Sequence, residues 1–161
     1  MDRSRLGRQD RLIKQKRNDA YQEKRKLRDC TVCTRCGSVY EGGRWTWNET
    51  GEECLEATCP ACQRIQDKYP AGFVQIRGAF FREHQDEILN LVRNVDRQQK
   101  NERPLERIMD IEEGRDNAMV TTTGVHIARR IGDALHSSYS GDLNYHYEED
   151  NKRIRVHWER E

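Results

Sequence analysis

Two cysteine pairs in this chain are spaced as metal ligands. Cys33-Thr-Arg-Cys36 and Cys59-Pro-Ala-Cys62 are C-x-x-C pairs separated by the 22 residues from Gly37 to Thr58. That spacing predicts a four-thiolate zinc site, with one Zn2+ per chain. Each C-x-x-C turn offers two sulfurs on one side of a tight loop, and two turns complete a tetrahedron. Gly37 suits the first turn because it reaches positive φ without a Cβ clash. Pro60 fixes φ inside the second pair and gives up an N–H. Four Cys ligands leave no coordination position for a catalytic water.

Cys30 and Cys54 remain. Cys30 opens a third C-x-x-C register with Cys33, but Gly follows Cys36 and not Cys33, which favours Cys33/Cys36 as the ligand pair. No redox role is expected for any of the thiols. The chain carries no Walker loop, G-x-G-x-x-G, G-x-S-x-G or H-E-x-x-H pattern. Its five His (His84, His126, His136, His146 and His157) contain no i,i+4 pair. With no nucleophile–base constellation, the expectation is a protein that is not an enzyme.

The elements around the cysteines follow from pattern. Hydrophobic residues make up 34% and charged residues 35% of the 161, so the core is thin and a metal staple is useful. Residues 30–68 read as a zinc ribbon. Gly42-Gly43 turns between Ser38–Tyr40 and Arg44–Trp47, and Trp45 and Trp47 share a strand face, either covering the ribbon's small core or stacking on bases. Residues 69–161 read as an α+β domain. Phe73 to Phe80 alternates as a strand, and Glu83 to Lys100 carries Ile88, Leu91, Val92 and Val95 at helical spacing. Leu105–Ile111 and Ala118–Thr123 read as strands, and Gly124–Ser138 as a second helix for which Thr123 offers an N-cap. Leu143–Tyr147 and Ile154–Trp158 form a hairpin. The order βαββαββ is a ferredoxin-like layout with one extra strand. Both helices fall on one sheet face. Arg77, Arg153, Arg155 and His157 fall on the other, as an RNA-binding surface or as an ordinary solvated face.

Residues 1–29 form a basic arm, disordered or helical. Arg3, Arg5, Arg8, Arg11, Lys14, Lys16, Arg17, Lys24, Arg25, Lys26 and Arg28 face five carboxylates there, although the whole chain is only +1. The absence of Pro, and of Gly after Gly7, allows a helix from about Gln9 to Leu27. The arm reads as a phosphate-neutralising segment or as a solubilising tail. No apolar run reaches the roughly 18 residues of a membrane span, and the charged N-terminus is not a secretory signal. The expected setting is cytoplasmic, with reduced thiols and a monomeric chain.

From Cys33 to Glu161 the chain resembles the amino-terminal part of the NMD-family large-ribosomal-subunit export adaptors, in their short, prokaryote-like form. Cys33-Thr-Arg-Cys36, Gly43-Arg44-Trp45, Cys59-Pro-Ala-Cys62 and the Val74-Gln75-Ile76-Arg77 strand carry the likeness. The order of helix, strand, strand and helix through Ile88, Leu89, Ile108 and Ile131 extends it. The family's additional C-x-x-C pairs and its acidic, leucine-rich export tail have no counterpart in these 161 residues, so neither a second zinc nor nuclear export is implied. What the resemblance implies is a non-catalytic zinc module that docks on the large ribosomal subunit or its rRNA, in assembly or quality control. Arg44, Trp45, Arg77, Arg153 and Arg155 join the arm as candidate RNA contacts. The alternative is a protein–protein adaptor built on the ribbon, without nucleic-acid binding.

Overall fold

The computed structural model describes residues 30–49 and 53–161, so the basic arm of residues 1–29 and its expected helix lie outside the described residues. Mixed α and β elements form two sheets, as expected.

The first sheet is built from short strands, β1 (Thr31–Cys33), β2 (Val39–Glu41), β3 (Arg44–Thr46) and β4 (Leu55–Ala57), in the order β3-β2-β1-β4. Gly42 and Gly43 both take positive φ, 59° and 82°, which is the two-residue hairpin turn whose twist matches the flanking strands. β4 pairs with β1 in parallel, Thr31 opposite Leu55. This register places Cys30 beside Cys54, and the two are joined in a disulfide with Cα atoms 5.0 Å apart. The expectation of six reduced thiols therefore fails at this pair.

The second C-x-x-C pair does not sit on a strand. Cys59 is the N-cap of helix α1 (Pro60–Asp67), with Pro60 in its first turn and the Cys59 sulfur accepting from the Cys62 N–H. Proline is suited to that position because its missing N–H has no helical partner there. Lys68, in the left-handed region, ends the helix.

The second sheet contains β5 (Gly72–Arg77), β6 (Ile108–Glu113), β7 (Asn117–Thr122), β8 (Asp142–Glu148) and β9 (Arg153–Glu159), in the order β6-β7-β5-β9-β8. The strand expected to run to Phe80 ends at Arg77. Gly78, at φ 113°, turns the chain into the short helix α2 (Ala79–Glu83), where Phe80 stacks on His84 with ring centroids 4.0 Å apart. Helix α3 (Gln85–Glu102) follows, and α4 (Val125–Tyr139) connects β7 to β8. In a ferredoxin-like layout the last strand lies beside the first. Here β9 takes that place, parallel to β5, and displaces β8 to the edge.

Period-two alternation sorts the faces. Val74 and Ile76 of β5, Val120 of β7 and Ile154, Val156 and Trp158 of β9 point into one core with Ile88 and Val92 of α3 and Ile127, Ile131 and Leu135 of α4. Each such aliphatic side chain contributes about 1.5–3 kcal/mol on burial. Trp158 keeps its indole N–H satisfied by the Ser140 carbonyl at 2.7 Å. The opposite face carries mainly polar rows, interrupted by Phe73 and Met119, across all five strands. One runs Asp110, Thr121, Phe73, Arg155, His146, and the next runs Glu112, Met119, Gln75, His157, Asn144.

Candidate metal centre

The four predicted cysteines converge. Cys33 closes β1, and Cys36 lies in the turn after it. There the Gly37 N–H bonds the Cys33 carbonyl at 3.0 Å and Gly37 takes φ 80°. Cys59 and Cys62 come from the first turn of α1. All four sulfurs lie within 4.8 Å of one another. Thiolates around a tetrahedral zinc, each at about 2.3 Å, are roughly 3.8 Å apart, and Cys36 Sγ and Cys59 Sγ are separated by 3.8 Å. The cluster can thus hold one metal ion. Cys33, Cys59 and Cys62 are buried and Cys36 is half-buried.

Backbone and side-chain donors already point at the sulfurs. The Cys59 N–H donates to Cys33 Sγ at 3.2 Å, and the Ser38 hydroxyl lies 3.1 Å from Cys36 Sγ. The largest contribution comes from a residue that the sequence did not single out. Arg107, 6% exposed, reaches across from the segment before β6. Its Nη1 donates to Cys62 Sγ at 3.2 Å, and its Nη2 to Cys36 Sγ at 3.1 Å and Cys59 Sγ at 3.4 Å. Its Nε donates to the Pro104 carbonyl at 2.6 Å, which fixes the plane of the fork. The strand expected from Leu105 begins only at Ile108 because this stretch is turned toward the cysteines.

Thiol acidities split accordingly. Burial pushes Cys59 up to about 12. Burial opposes ionisation of Cys36 as well, but the Ser38 hydroxyl and N–H and the Arg107 charge outweigh it and bring that thiol down to about 6. Arg107 itself is held more firmly protonated, since its bonds to the sulfurs exceed the cost of its burial. The arrangement suits a metal bound for structure. All four positions come from protein sulfur, and one guanidinium offsets part of their negative charge.

The remaining predicted residues are dispersed. Trp45 is 7% exposed and packs with the cysteines and against Tyr40, the core-covering arrangement. Trp47 donates its indole N–H to the Lys100 carbonyl at 2.6 Å and so ties the metal module to α3. Arg44 is exposed on β3. Arg77, Arg153 and Arg155 share the polar sheet face as expected, but two of them are engaged. Arg155 bonds Glu148 at 2.8 Å and lies 4.5 Å over the Phe73 ring, and Arg153 pairs with Glu149 at 3.4 Å. The arm cations, Arg3 to Arg28, lie outside the described residues. The expected N-cap Thr123 turns its hydroxyl to the Leu105 carbonyl instead. Gly124 occupies the cap position, and Glu106 accepts from the Ile127 N–H at 3.1 Å. Among the described residues no helix is long and apolar enough to cross a membrane.

No family model, curated protein or solved structure matches this chain.

Proposed function

We propose that the protein is a non-catalytic zinc module that binds RNA, with the large ribosomal subunit or its rRNA as the target. The observation that carries the reading is the closed four-sulfur cluster backed by Arg107. A site of that kind organises a surface and has no open position for substrate. Four sulfurs in tetrahedral reach support zinc, one of the metals that such a donor set takes. The RNA part rests on charge segregation, since residues 1–29 carry eleven Lys/Arg against five Asp/Glu. The likeness to the NMD-family adaptors in the cysteine pairs and the Val74–Arg77 strand supplies the ribosomal target.

The test is co-sedimentation of tagged protein with cell lysate on a sucrose gradient at low and raised salt. Migration with the large subunit, weakened by salt and by deletion of residues 1–29, supports the reading, because phosphate contacts release counterions and depend steeply on salt. Protein that stays at the top of the gradient under both conditions is instead the adaptor. Leu55, 54% exposed on β4, is then the contact to examine.

A further inference from the structure

The metal module and the five-stranded domain do not meet flush. Between them lies a cleft of about 950 Å³, walled by the β2–β3 hairpin, α1, residues 101–106 and the β8–β9 turn. Ligand clefts occupy roughly 300–1,000 Å³, so this one is large for a small metabolite and suited to part of a polymer. Arg44, Arg103 and Lys152 line it, and none of the three has an ion-pair partner among the described residues. Two carboxylates share the cleft. Glu106 accepts from the Ile127 N–H at the N-terminus of α4 and its charge also acts on Arg103, so Glu102 and Glu106 both oppose the cations.

The cleft also holds an aromatic ring in fixed orientation. Trp47 spends its single donor on the Lys100 carbonyl and has the Arg107 guanidinium carbon 5.7 Å from its ring centroid, so what it offers a ligand is the remaining indole surface. The arginines of the open sheet face contrast with this, because Arg153 and Arg155 are engaged by Glu149 and Glu148 and acidic Asp110 shares the row of Arg155. Unpaired cations beside a fixed aromatic ring are the pattern that holds single-stranded nucleic acid.

We propose that this cleft takes a single-stranded RNA segment, with phosphates on Arg44, Arg103 and Lys152 and one base stacked on Trp47. The proposal rests on the RNA-binding reading above and relocates its contact from the sheet face to the cleft. A duplex keeps its bases stacked inside and gives Trp47 nothing to stack on. An acidic peptide would satisfy the cations and leave the indole unused.

The experiment is a fluorescence-anisotropy titration of the full chain with a labelled ten-nucleotide single-stranded RNA over a salt series. Circular dichroism and metal content serve as fold controls. Arg44 and Arg103 are exposed, so the double variant Arg44→Glu/Arg103→Glu should fold. It is expected to lose at least about tenfold in affinity, and its log–log salt slope should fall by about 1.4, or about 0.7 for each lost phosphate contact. Trp47→Leu should cost roughly five- to a hundredfold. Unchanged binding in these variants, with loss in Arg77→Glu/Arg155→Glu, would overturn the cleft while leaving RNA binding intact. A wild-type chain that binds no RNA at low salt would overturn both. Equal competition by poly-glutamate would replace RNA with an acidic polypeptide as the ligand.

Discussion

Arg107 and Cys62 lie 45 positions apart in the chain, yet the Arg107 Nη1 sits 3.2 Å from the Cys62 sulfur. Nη2 of the same guanidinium spans Cys36 and Cys59. One side chain of the α+β domain is therefore wired into the centre of the metal module. Removing one partner of a buried charged network costs about 3–5 kcal/mol, and loss of an outer-shell partner weakens metal binding by roughly 10–100-fold. Arg107→Ala should show both, in denaturant unfolding and in competition with a chromophoric chelator. Arg107→Lys keeps the charge and loses the fork, so it should fall between. If the Lys variant holds metal as tightly as the native chain, the bidentate geometry is not what matters.

Metal removal should act on one part of the molecule. The small module has little core beyond its cysteines, Trp45 and Ala61, whereas the five-stranded domain has a separate aliphatic core. Chelation is expected to release about one equivalent of zinc and to unfold β1–β4 and α1. Amide exchange read residue by residue should show β5–β9 still protected. Cys59→Ser should reproduce that pattern without chelator.

Close packing between β5 and α4 sets a third expectation. A Cβ on Gly72 would lie 2.3 Å from the Thr122 hydroxyl oxygen and 2.6 Å from the Ala128 methyl. Gly72→Ala should therefore destabilise by about 1–3 kcal/mol, the usual cost of overpacking. Equilibrium denaturation that places the variant within error of the native chain would mean that strand and helix are further apart than described.

Glu106 gives a pH dependence of known sign. Burial raises its carboxyl pKa, against the lowering effects of the Ile127 N–H and nearby Arg103. A folded-state pKa above the unfolded one contributes stability below the unfolded value, and that contribution disappears as pH rises through the folded value. Glu106→Gln imitates the protonated form. The variant should match the native chain near pH 4 and gain on it toward pH 7. Comparing the two at each pH cancels the acid sensitivity of the thiolates. A gap that widens instead as pH falls would contradict the burial of this carboxyl.

Local pattern made much of this architecture legible. The C-x-x-C spacing picked out the four cysteines that converge, Gly42-Gly43 the hairpin, and alternation the strand faces. Helix α1 escaped because Pro60 between two cysteines reads equally as a turn; its position after an N-capping Cys59 was the available signal. Arg107 left no trace, because it looks like one more residue in the strand-like run from Leu105 to Ile111 and is recruited only when two distant segments meet. The Cys30–Cys54 bond is likewise fixed by the parallel β1–β4 register, and parallel pairing has no short-range sequence mark. Glu106 serves the α4 terminus in place of Thr123, whose hydroxyl oxygen already accepts the Arg107 N–H at 2.9 Å.

The interior position of β9 bears on how the chain reaches this shape. Its partner β5 lies far upstream, with Gln75 and His157, 82 positions apart, meeting across the pair. Until residues 153–159 are available, β5 has a bare edge, β8 has no neighbour, and the place of Trp158 in the core is empty. Such long-range pairing makes folding slow, and the unpaired edges are sticky in the interval. On a translating ribosome, the α+β domain would therefore consolidate only after β9 had cleared the exit tunnel, in one late step.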